Sequence, residues 1–306
     1  MGKPQSTLRT NDNKPAKMIS VIIPTCDRNE LLGNCLLRLS HAYQSIAENE
    51  YEVVVSDDSK ENIARDFIAH NYKWVKWIEG PKKGPAANRN NGAKYAMGDW
   101  FIFIDDDCIP DRNLLYAYQK GIETYPNISV FEGSIYPDSW KLLKCDMAEC
   151  PVNMTGGCFW SANICIEKTL FKKVGGFNEK LIIAAQEDQQ LKLDIERSMN
   201  TIFFLKNAKV VHPVRIVSLR KKLSRIHVAS KNFCIYANTN RQLLGYTSAS
   251  RFLKSQIKVH VRQAFVYLKA KKGKSFINEL AWICWGIPLN LYHYCYSHKA
   301  VKKLEN

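Results

Sequence analysis

The chain has 306 residues, 46% of them hydrophobic and 11% aromatic, which is enough to bury one large core or two modest ones. Its ten cysteines contain no C-x-x-C pair and no regular spacing, which argues against a zinc site or a disulfide framework and favours free thiols in a reducing compartment. The net charge of +15 is regional, because residues 197–278 contain 18 Lys and Arg and no Asp or Glu, which leaves −3 for the rest. Residues 1–17 are polar and carry no secretory signal, so we expect a disordered tail.

The predicted elements begin with a strand and alternate with helices. Apolar runs predict strands, and apolar residues at spacings of three and four predict helices. The strands are predicted at 19–23, 53–55, 74–78 and 101–104, and the helices at 31–46, 62–70 and 86–97. This alternation indicates an α/β fold, with a mostly parallel sheet flanked by helices on both faces.

Acidic residues follow two of these strands. Asp57 and Asp58 end one strand, and the triplet Asp105, Asp106 and Asp107 ends another. Because the carboxyl ends of parallel strands open on one edge, where ligands gather, we expect the acids to meet there. The triplet suits a divalent metal, although a solvated turn or a helix cap also fits it. Arg89 lies between the two groups in sequence. It is expected either to be a cation that faces a phosphate or to be an ordinary surface arginine.

The chain lacks two phosphate-binding motifs. No G-x-G-x-x-G follows the first strand, and G-x-x-x-x-G-K-[ST] is absent from the sequence. This argues against dinucleotide oxidoreductases and P-loop nucleotidases. A Mg²⁺ or Mn²⁺ ion held by carboxylates would bridge a diphosphate instead.

The chain resembles the family 2 glycosyltransferases, which have the Rossmann-like GT-A fold, so the resemblance implies a mixed, mostly parallel sheet flanked by helices. Six segments between about residues 18 and 215 carry the resemblance: SVIIPTCDR (20–28), VVVSDDS (53–59), RNNGAKYAMGDWFIFIDDDC (89–108), GGCFWSANICI (156–166), VGGFNE (174–179) and QED (186–188). Their order and spacing fit the family, and the combination is far more specific than any single segment. The resemblance implies an inverting, metal-dependent transfer of sugar from a nucleoside diphosphate, with UDP favoured.

The resemblance also implies donor-side roles. Asp105 and Asp107 match the outer positions of the family's D-x-D motif, where the first approaches the ribose and the metal and the second ligates the metal. A late histidine, here His212 after the strand at 210–211, completes the metal site in several GT-A enzymes, although a lone histidine is more often structural. The residues implied to bind the nucleotide sugar are Pro24, Thr25, Arg28, Asp57, Arg89, Asp105 and Asp106, with Asp57 on the base and Asp106 at the variable position.

The acceptor side is implied by three further groups of residues. Glu187 and Asp188 begin a predicted helix that runs to about residue 199, and acidic residues commonly cap the N-terminus of a helix. Their place after VGGFNE instead implies that Asp188 is the catalytic base and that Glu187 supports it. The turn at Gly156 and Gly157, followed by Trp160, is expected to admit the acceptor, or else to pack against the core.

The region after residue 218 is predicted to be helical, basic and aromatic. Its most apolar part, 280–296, is too short and too polar to cross a membrane, so we expect a peripheral interfacial helix with Trp282 and Trp285 at headgroup depth. The alternatives are a helical subdomain packed on protein, or a solvated basic face without a partner. We therefore divide the chain into a tail (1–17), a nucleotide-sugar half (18–115), an acceptor half (116–218) and a C-terminal region (219–306).

The sequence as a whole predicts a cytoplasmic, non-processive glycosyltransferase, peripheral on a membrane, that uses Mn²⁺ or Mg²⁺. No Q-x-x-R-W motif is present, so one sugar is expected per encounter, passed to a saccharide or a lipid-linked acceptor. The alternatives are a sugar-1-phosphate nucleotidyltransferase, which shares the metal aspartates, and a non-catalytic binder of membrane or nucleic acid. Nucleic acid is the less favoured partner.

Overall fold

The computed structural model describes residues 17–302, with side chains to residue 296. The tail predicted for residues 1–17 lies, apart from Lys17, outside the described residues. Strands and helices alternate through the first part of the chain. They are β1 (Ile19–Thr25), α1 (Asn29–Arg38), β2 (Tyr51–Asp57), α2 (Ile63–Asn71), β3 (Lys76–Glu79), α3 (Pro85–Tyr95), β4 (Trp100–Ile104), β5 (Ile109–Pro110) and α4 (Leu114–Thr124).

The second part of the chain completes the sheet and then becomes helical. The strands and helices up to residue 216 are β6 (Val130–Pro137), α5 (Trp140–Leu143), β7 (Ala148–Glu149), β8 (Asn163–Glu167), α6 (Lys168–Lys173), α7 (Glu187–Arg197), β9 (Ile202–His212) and β10 (Arg215–Ile216). Four helices follow, and a π-helical turn (Trp282–Gly286) joins the last two. They are α8 (Leu219–Thr239), α9 (Ala249–Lys269), α10 (Gly273–Ala281) and α11 (Ile287–Lys302).

The main sheet is mixed and has eight strands in the order β3-β2-β1-β4-β8-β6-β9-β5. Its first four strands are parallel, as predicted. β8 runs antiparallel to both β4 and β6, and Ile104 at the end of β4 pairs with Asn163 at the start of β8. The loop before β8 therefore reaches the edge at which the acidic triplet emerges.

Strand side chains alternate between two cores because successive residues point to opposite faces. Ile19, Val21 and Ile23 of β1 face a core shared with α1, α2 and α4. Ile22 faces the other core, shared with α3, α6 and α7. Helices therefore cover both faces of the sheet, as predicted.

The helix predicted for 31–46 is shorter than expected, since α1 ends at Arg38. Residues 39–47 form turns, and the side-chain amide of Gln44 donates to the backbone carbonyl of Arg38 at 2.7 Å. Ile46 still reaches the same core as α1. The helix-like spacing of apolar residues continues beyond Arg38 because these turns also pack on that core, although they are not helical.

The C-terminal helices form a bundle with its own small core. The Phe252 ring stacks on Tyr294 with a centroid distance of 4.2 Å, and Cys234 and Ala237 complete the cluster. The apolar segment 280–296 is helical throughout, as predicted, and contains the π-helical turn; Tyr294 is buried and Trp285 exposed. Its contact with a membrane stays a prediction. Among residues 17–302, no helix combines the length and apolarity needed to cross a membrane.

Candidate active site

The three aspartates at the end of β4 face three different partners. Asp106 accepts hydrogen bonds from Thr25 Oγ1 at 2.8 Å and from Arg28 Nη1 at 2.9 Å. Asp105 Oδ1 accepts from Arg89 Nη2 at 2.7 Å. The repulsion expected among adjacent carboxylates is thus offset by two guanidinium groups, that of Arg28 just before α1 and that of Arg89 on α3.

The surroundings of Asp105 and Asp106 move their pKa values in opposite directions. Burial raises the pKa of Asp105, but the charge and the hydrogen bond of Arg89 lower it, and the net shift is downward. Burial also raises the pKa of Asp106, and Arg28 and Thr25 do not fully offset it. Asp105 is therefore the more firmly ionised of the two.

Asp107 has the features of a metal ligand. Its side chain is fully buried, and neither oxygen accepts a hydrogen bond. Oδ1 lies 3.4 Å from His212 Nε2, while Oδ2 makes an ion pair with Arg215 that lacks hydrogen-bond geometry. His212 Nδ1 lies 3.0 Å from the carbonyl of Pro213. With the proton on Nδ1, Nε2 has a free lone pair beside Asp107, an arrangement common to metal-binding histidines. Asp107 and His212 thus fit a divalent cation.

Cys108 lies beside this pair but does not suit the same metal. The sulfur of Cys108, a carboxylate oxygen of Asp107 and a ring nitrogen of His212 all lie within 4.8 Å of one another. However, burial raises the pKa of the Cys108 thiol well above its usual value, and the thiol donates to the carbonyl of Ala162 at 3.6 Å. Since the thiolate is the metal-binding form, only the carboxylate and imidazole groups of this cluster fit a divalent cation.

Arg89 connects the triplet to the predicted base pair. It lies on α3, is 3% exposed, and donates from Nη1 to Glu187 Oε1 at 3.1 Å as well as from Nη2 to Asp105. Its guanidinium also lies over the Phe177 ring, 5.5 Å from the centroid. One buried cation thus joins residues that are 82 positions apart in sequence, Asp105 and Glu187, into one site.

Glu187 and Asp188 begin α7, both largely buried. Burial and the neighbouring charge of Glu187 raise the pKa of Asp188 to about 7, against the lowering effect of Arg89. Burial also raises the pKa of Glu187. Asp188 Oδ1 accepts from the backbone N–H of Gln189 at 2.8 Å. A carboxylate whose pKa lies near neutrality is suited to take a proton.

The glycine turn before β8 is held from two sides. The carboxylate of Glu132, on β6, accepts from the backbone N–H of Gly157 and, at 2.8 Å, from that of Phe159. From α7, Lys192 Nζ donates to the Gly157 carbonyl at 2.7 Å, and Gln189 to the Cys158 carbonyl at 2.8 Å. The turn is therefore fixed beside the helix that carries Asp188.

The remaining predicted residues lie at the same edge with differing exposure. Asp57 is fully buried, and its carboxylate accepts from the backbone N–H of Ser59 at 3.0 Å and of Ala64 at 3.1 Å. Pro24 is half-buried near the end of β1, and Trp160 packs against the core of the α1 face. Contact of Asp57 with a base, and of Trp160 with an acceptor, stay predictions.

Two residues of the site were not predicted from the sequence. Glu132 and Arg215 sit on strands without a motif around them, and only the fold brings Glu132 to the glycine turn and Arg215 to the triplet. Asp58, predicted at this edge without a role of its own, accepts from the backbone N–H groups of Lys82 at 2.8 Å and Gly84 at 3.1 Å, and so fixes the loop before α3.

Comparisons with known proteins match the first half of the chain to one family. Residues 20–154 match the family "Glycosyl transferase family 2". The chain is 22% identical over 284 residues to the dolichyl N-acetyl-alpha-D-glucosaminyl phosphate 3-beta-D-2,3-diacetamido-2,3-dideoxy-beta-D-glucuronosyltransferase of Methanococcus voltae, covering 88% of this chain and 77% of that protein.

Two solved structures share the fold. S. aureus TarS 1-349 in complex with UDP-GlcNAc has a TM-score of 0.54 at 16% identity, covering 94% of this chain and 92% of that chain. The mannosyltransferase PcManGT from Pyrobaculum calidifontis, in complex with GDP-Man and Mn²⁺, has a TM-score of 0.51 at 14% identity, covering 94% and 75%. Residues 20–154 thus carry a family 2 glycosyltransferase domain, and the mixed eight-stranded sheet and these structural matches show that the fold is GT-A.

Proposed function

We propose that the enzyme moves a single sugar from a nucleoside diphosphate sugar, first of all a UDP sugar, to an acceptor hydroxyl with inversion at the anomeric carbon. The observation that carries this proposal is the bridge from Asp105 through Arg89 to Glu187. It ties the carboxylates on the donor side to the pair that opens α7. A donor and an acceptor bound on either side of this bridge would meet at one anomeric carbon.

The donor side is suited to a diphosphate. Arg28 and Arg215 both lie against the triplet with side chains that are 42% and 45% exposed. Guanidinium groups bind phosphate oxygens through paired hydrogen bonds. Asp107 and His212, with Asp105 beside them, would hold Mn²⁺ or Mg²⁺, which would offset the negative charge on the departing diphosphate.

The acceptor side supplies proton removal. The acceptor oxygen would attack the anomeric carbon while the bond from that carbon to the diphosphate oxygen breaks. The hydroxyl proton passes to Asp188, and the nucleoside diphosphate leaves. A base placed in this way contributes about 100 to 10,000-fold. Glu187, held by Arg89, orients the start of α7, and the turn at Gly156 and Gly157 borders the acceptor.

A lipid-linked or surface glycan precursor is the proposed acceptor class. The Methanococcus voltae relative is named for a dolichyl phosphate-linked substrate. The 18 basic residues of 197–278 suit an anionic membrane that would carry such an acceptor. We therefore propose peripheral association with the cytoplasmic face of a membrane.

The test is a panel of nucleotide sugars with and without Mn²⁺, read as released nucleoside diphosphate and as donor binding by calorimetry. We expect hydrolysis or transfer with at least one donor, stimulated by Mn²⁺. Asp107→Asn should abolish the stimulation, whereas Cys108→Ala, its neighbour with a protonated thiol, should keep it. If no nucleotide sugar were bound or hydrolysed, the proposal would be wrong.

The same panel separates the two alternatives. A sugar-1-phosphate nucleotidyltransferase would release pyrophosphate from a nucleoside triphosphate and a sugar 1-phosphate. A non-catalytic binder would turn over no donor and would keep its affinity for membrane or nucleic acid in Asp107→Asn. A non-catalytic binder would also leave the buried acids Asp105 and Glu187 without a task.

A further inference from the structure

The outward face of α9 combines positive charge with large apolar side chains. The helix buries Phe252, Gln256 and Ala264 against its neighbours. Its exposed basic residues are Arg251, Lys254, Lys258, Arg262 and Lys269. Its exposed apolar residues are Ile257, Val259, Val261, Phe265, Val266 and Leu268, of which Phe265 is 60% exposed.

These residues form ridges along the helix. Lys254, Lys258 and Arg262 are four residues apart, so they lie above one another on successive turns. Ile257, Val261 and Phe265 have the same spacing and form an apolar ridge beside the basic one. The face is therefore amphipathic along its length, and both ridges point to solvent.

Nothing within the region neutralises this face. Residues 197–278 contain no Asp or Glu, and Glu279, the first acid beyond them, is buried and paired with His260 at 2.7 Å. A second copy of the same face would bring like charges together. An anionic surface with an apolar interior matches both ridges, because basic groups meet headgroups while apolar groups enter the acyl boundary.

We infer that α9 is the element by which this enzyme lies on an anionic phospholipid bilayer. This helix differs from the segment 280–296 expected from the sequence, which buries Ile287, Asn290 and Tyr294 in the bundle and carries no Lys or Arg. This inference deepens the membrane contact in the proposed function. It rests on the proposed function only for the statement that the membrane carries the acceptor. Vesicle binding needs neither donor nor metal.

Contacts join the bundle to the part of the chain that precedes α8, residues 18–218, which we call the catalytic domain. They fix the position of the α9 surface relative to the candidate active site. Asn240 at the end of α8 donates to Gln190 of α7 at 2.7 Å and accepts from Arg197 at 2.6 Å. Lys222 of α8 pairs with Glu149 of β7 at 2.8 Å. A membrane-bound α9 would therefore hold the helix of Asp188 at a set distance from the lipid surface.

The experiment is flotation of the full chain with vesicles of phosphatidylcholine alone or with phosphatidylglycerol, at low and at high salt. The test variant is Lys254→Glu, Lys258→Glu and Arg262→Glu together. The control is Lys60→Glu, Lys73→Glu and Lys173→Glu, exposed lysines of the catalytic domain that change the net charge equally. At about 1 kcal/mol per basic residue, the test variant should bind about 100-fold or more weakly, and the control nearly as wild type.

A second variant tests the apolar ridge. Val261→Ser with Phe265→Ser should weaken vesicle binding at high salt, where screening leaves the apolar part dominant. Unchanged melting temperatures would show that each variant is folded. The inference is overturned if wild type fails to float, if both triple variants lose binding equally, or if duplex DNA binds more tightly than vesicles regardless of Val261 and Phe265. Transfer to a soluble acceptor would survive these outcomes, so the proposed function is tested separately.

Discussion

Asp188 illustrates at the residue scale how burial prepares a carboxylate for proton transfer. Its pKa is raised to about 7 by burial and by Glu187, so the ionised form predominates only above that pH. We expect kcat/KM to rise with pH and to level off above about 7. Asp188→Asn should lower kcat by about 100 to 10,000-fold while keeping UDP affinity. A pH profile without this limb would argue against Asp188 as the base.

The raised pKa of Asp188, which suits the residue to catalysis, also lowers the stability of the folded chain at high pH. Between its ordinary pKa of 3.8 and about 7, Asp188 holds its proton in the folded chain but releases it in the unfolded chain. Ionisation thus destabilises the folded state as pH rises through this window. Asp188→Asn should raise the free energy of unfolding by about 1–4 kcal/mol at pH 8 and hardly at pH 4. Urea titrations at the two pH values check this, and an equal gain at both would contradict it.

Two substitutions of Arg89 separate the effect of its charge from the effect of its two-sided hydrogen bonding. Arg89→Lys keeps a cation but can bridge only one carboxylate closely, so kcat should fall while the acid limb of the pH profile moves little. Arg89→Met removes the charge that lowers the pKa of Asp188, so that limb should shift to higher pH. The two pH profiles are the measurement. Identical limbs in both variants would show that Arg89 does not act on the base.

The sequence predicted individual residues wherever a local pattern surrounded them. Asp105, Arg89 and Glu187 each lie in a segment that resembles the family, and the fold brings them into direct contact. Glu132 and Arg215 could not be found in this way. Each is a lone charged residue on a strand, and its meaning depends on strands distant in sequence.

At the scale of elements, the glycine turn before β8 offers a matched pair of substitutions. Gly156 and Gly157 have φ values of +84° and +89°, so alanine at either position carries a similar backbone cost. A methyl group at Gly156 would lie 2.8 Å from Phe204 Cβ, whereas one at Gly157 meets nothing within 4 Å. Gly156→Ala should raise the acceptor KM several-fold more than Gly157→Ala and leave donor hydrolysis intact. Equal effects would mean that the position of the turn does not matter.

Strand positions were predicted in the first half of the chain, but neither the positions nor the directions of β6 and β8 were. The apolar runs marked β1, β2 and β4 because buried parallel strands are almost wholly apolar. No feature of the residues in β8 encodes its antiparallel direction, which depends on the lengths of the connections around it. The end of α1 was mispredicted for a related reason, since turns that pack on a core carry helix-like spacing.

At the scale of the molecule, α8 stabilises the catalytic domain through Asn240. Its amide joins α7 by hydrogen bonds to Gln190 and Arg197, and the residue is 1% exposed. Asn240→Ala should lower the free energy of unfolding by about 1–3 kcal/mol, because buried partners lose their hydrogen bonds. Chemical denaturation measures this. Asn71→Ala, an exposed asparagine that ends α2, is the control and should change little.

The reversed direction of β8 also bears on how such enzymes diversify. In the proposed function, residues before about 115, together with His212 and Arg215, form the donor side, whereas the turn at 156–159 and the start of α7 form the acceptor side and come from one stretch between them. Chimeras that exchange 130–197 with a relative should therefore acquire a new acceptor preference and retain the original sugar. The incoming stretch must supply a carboxylate at position 187, because Arg89 belongs to the half that stays.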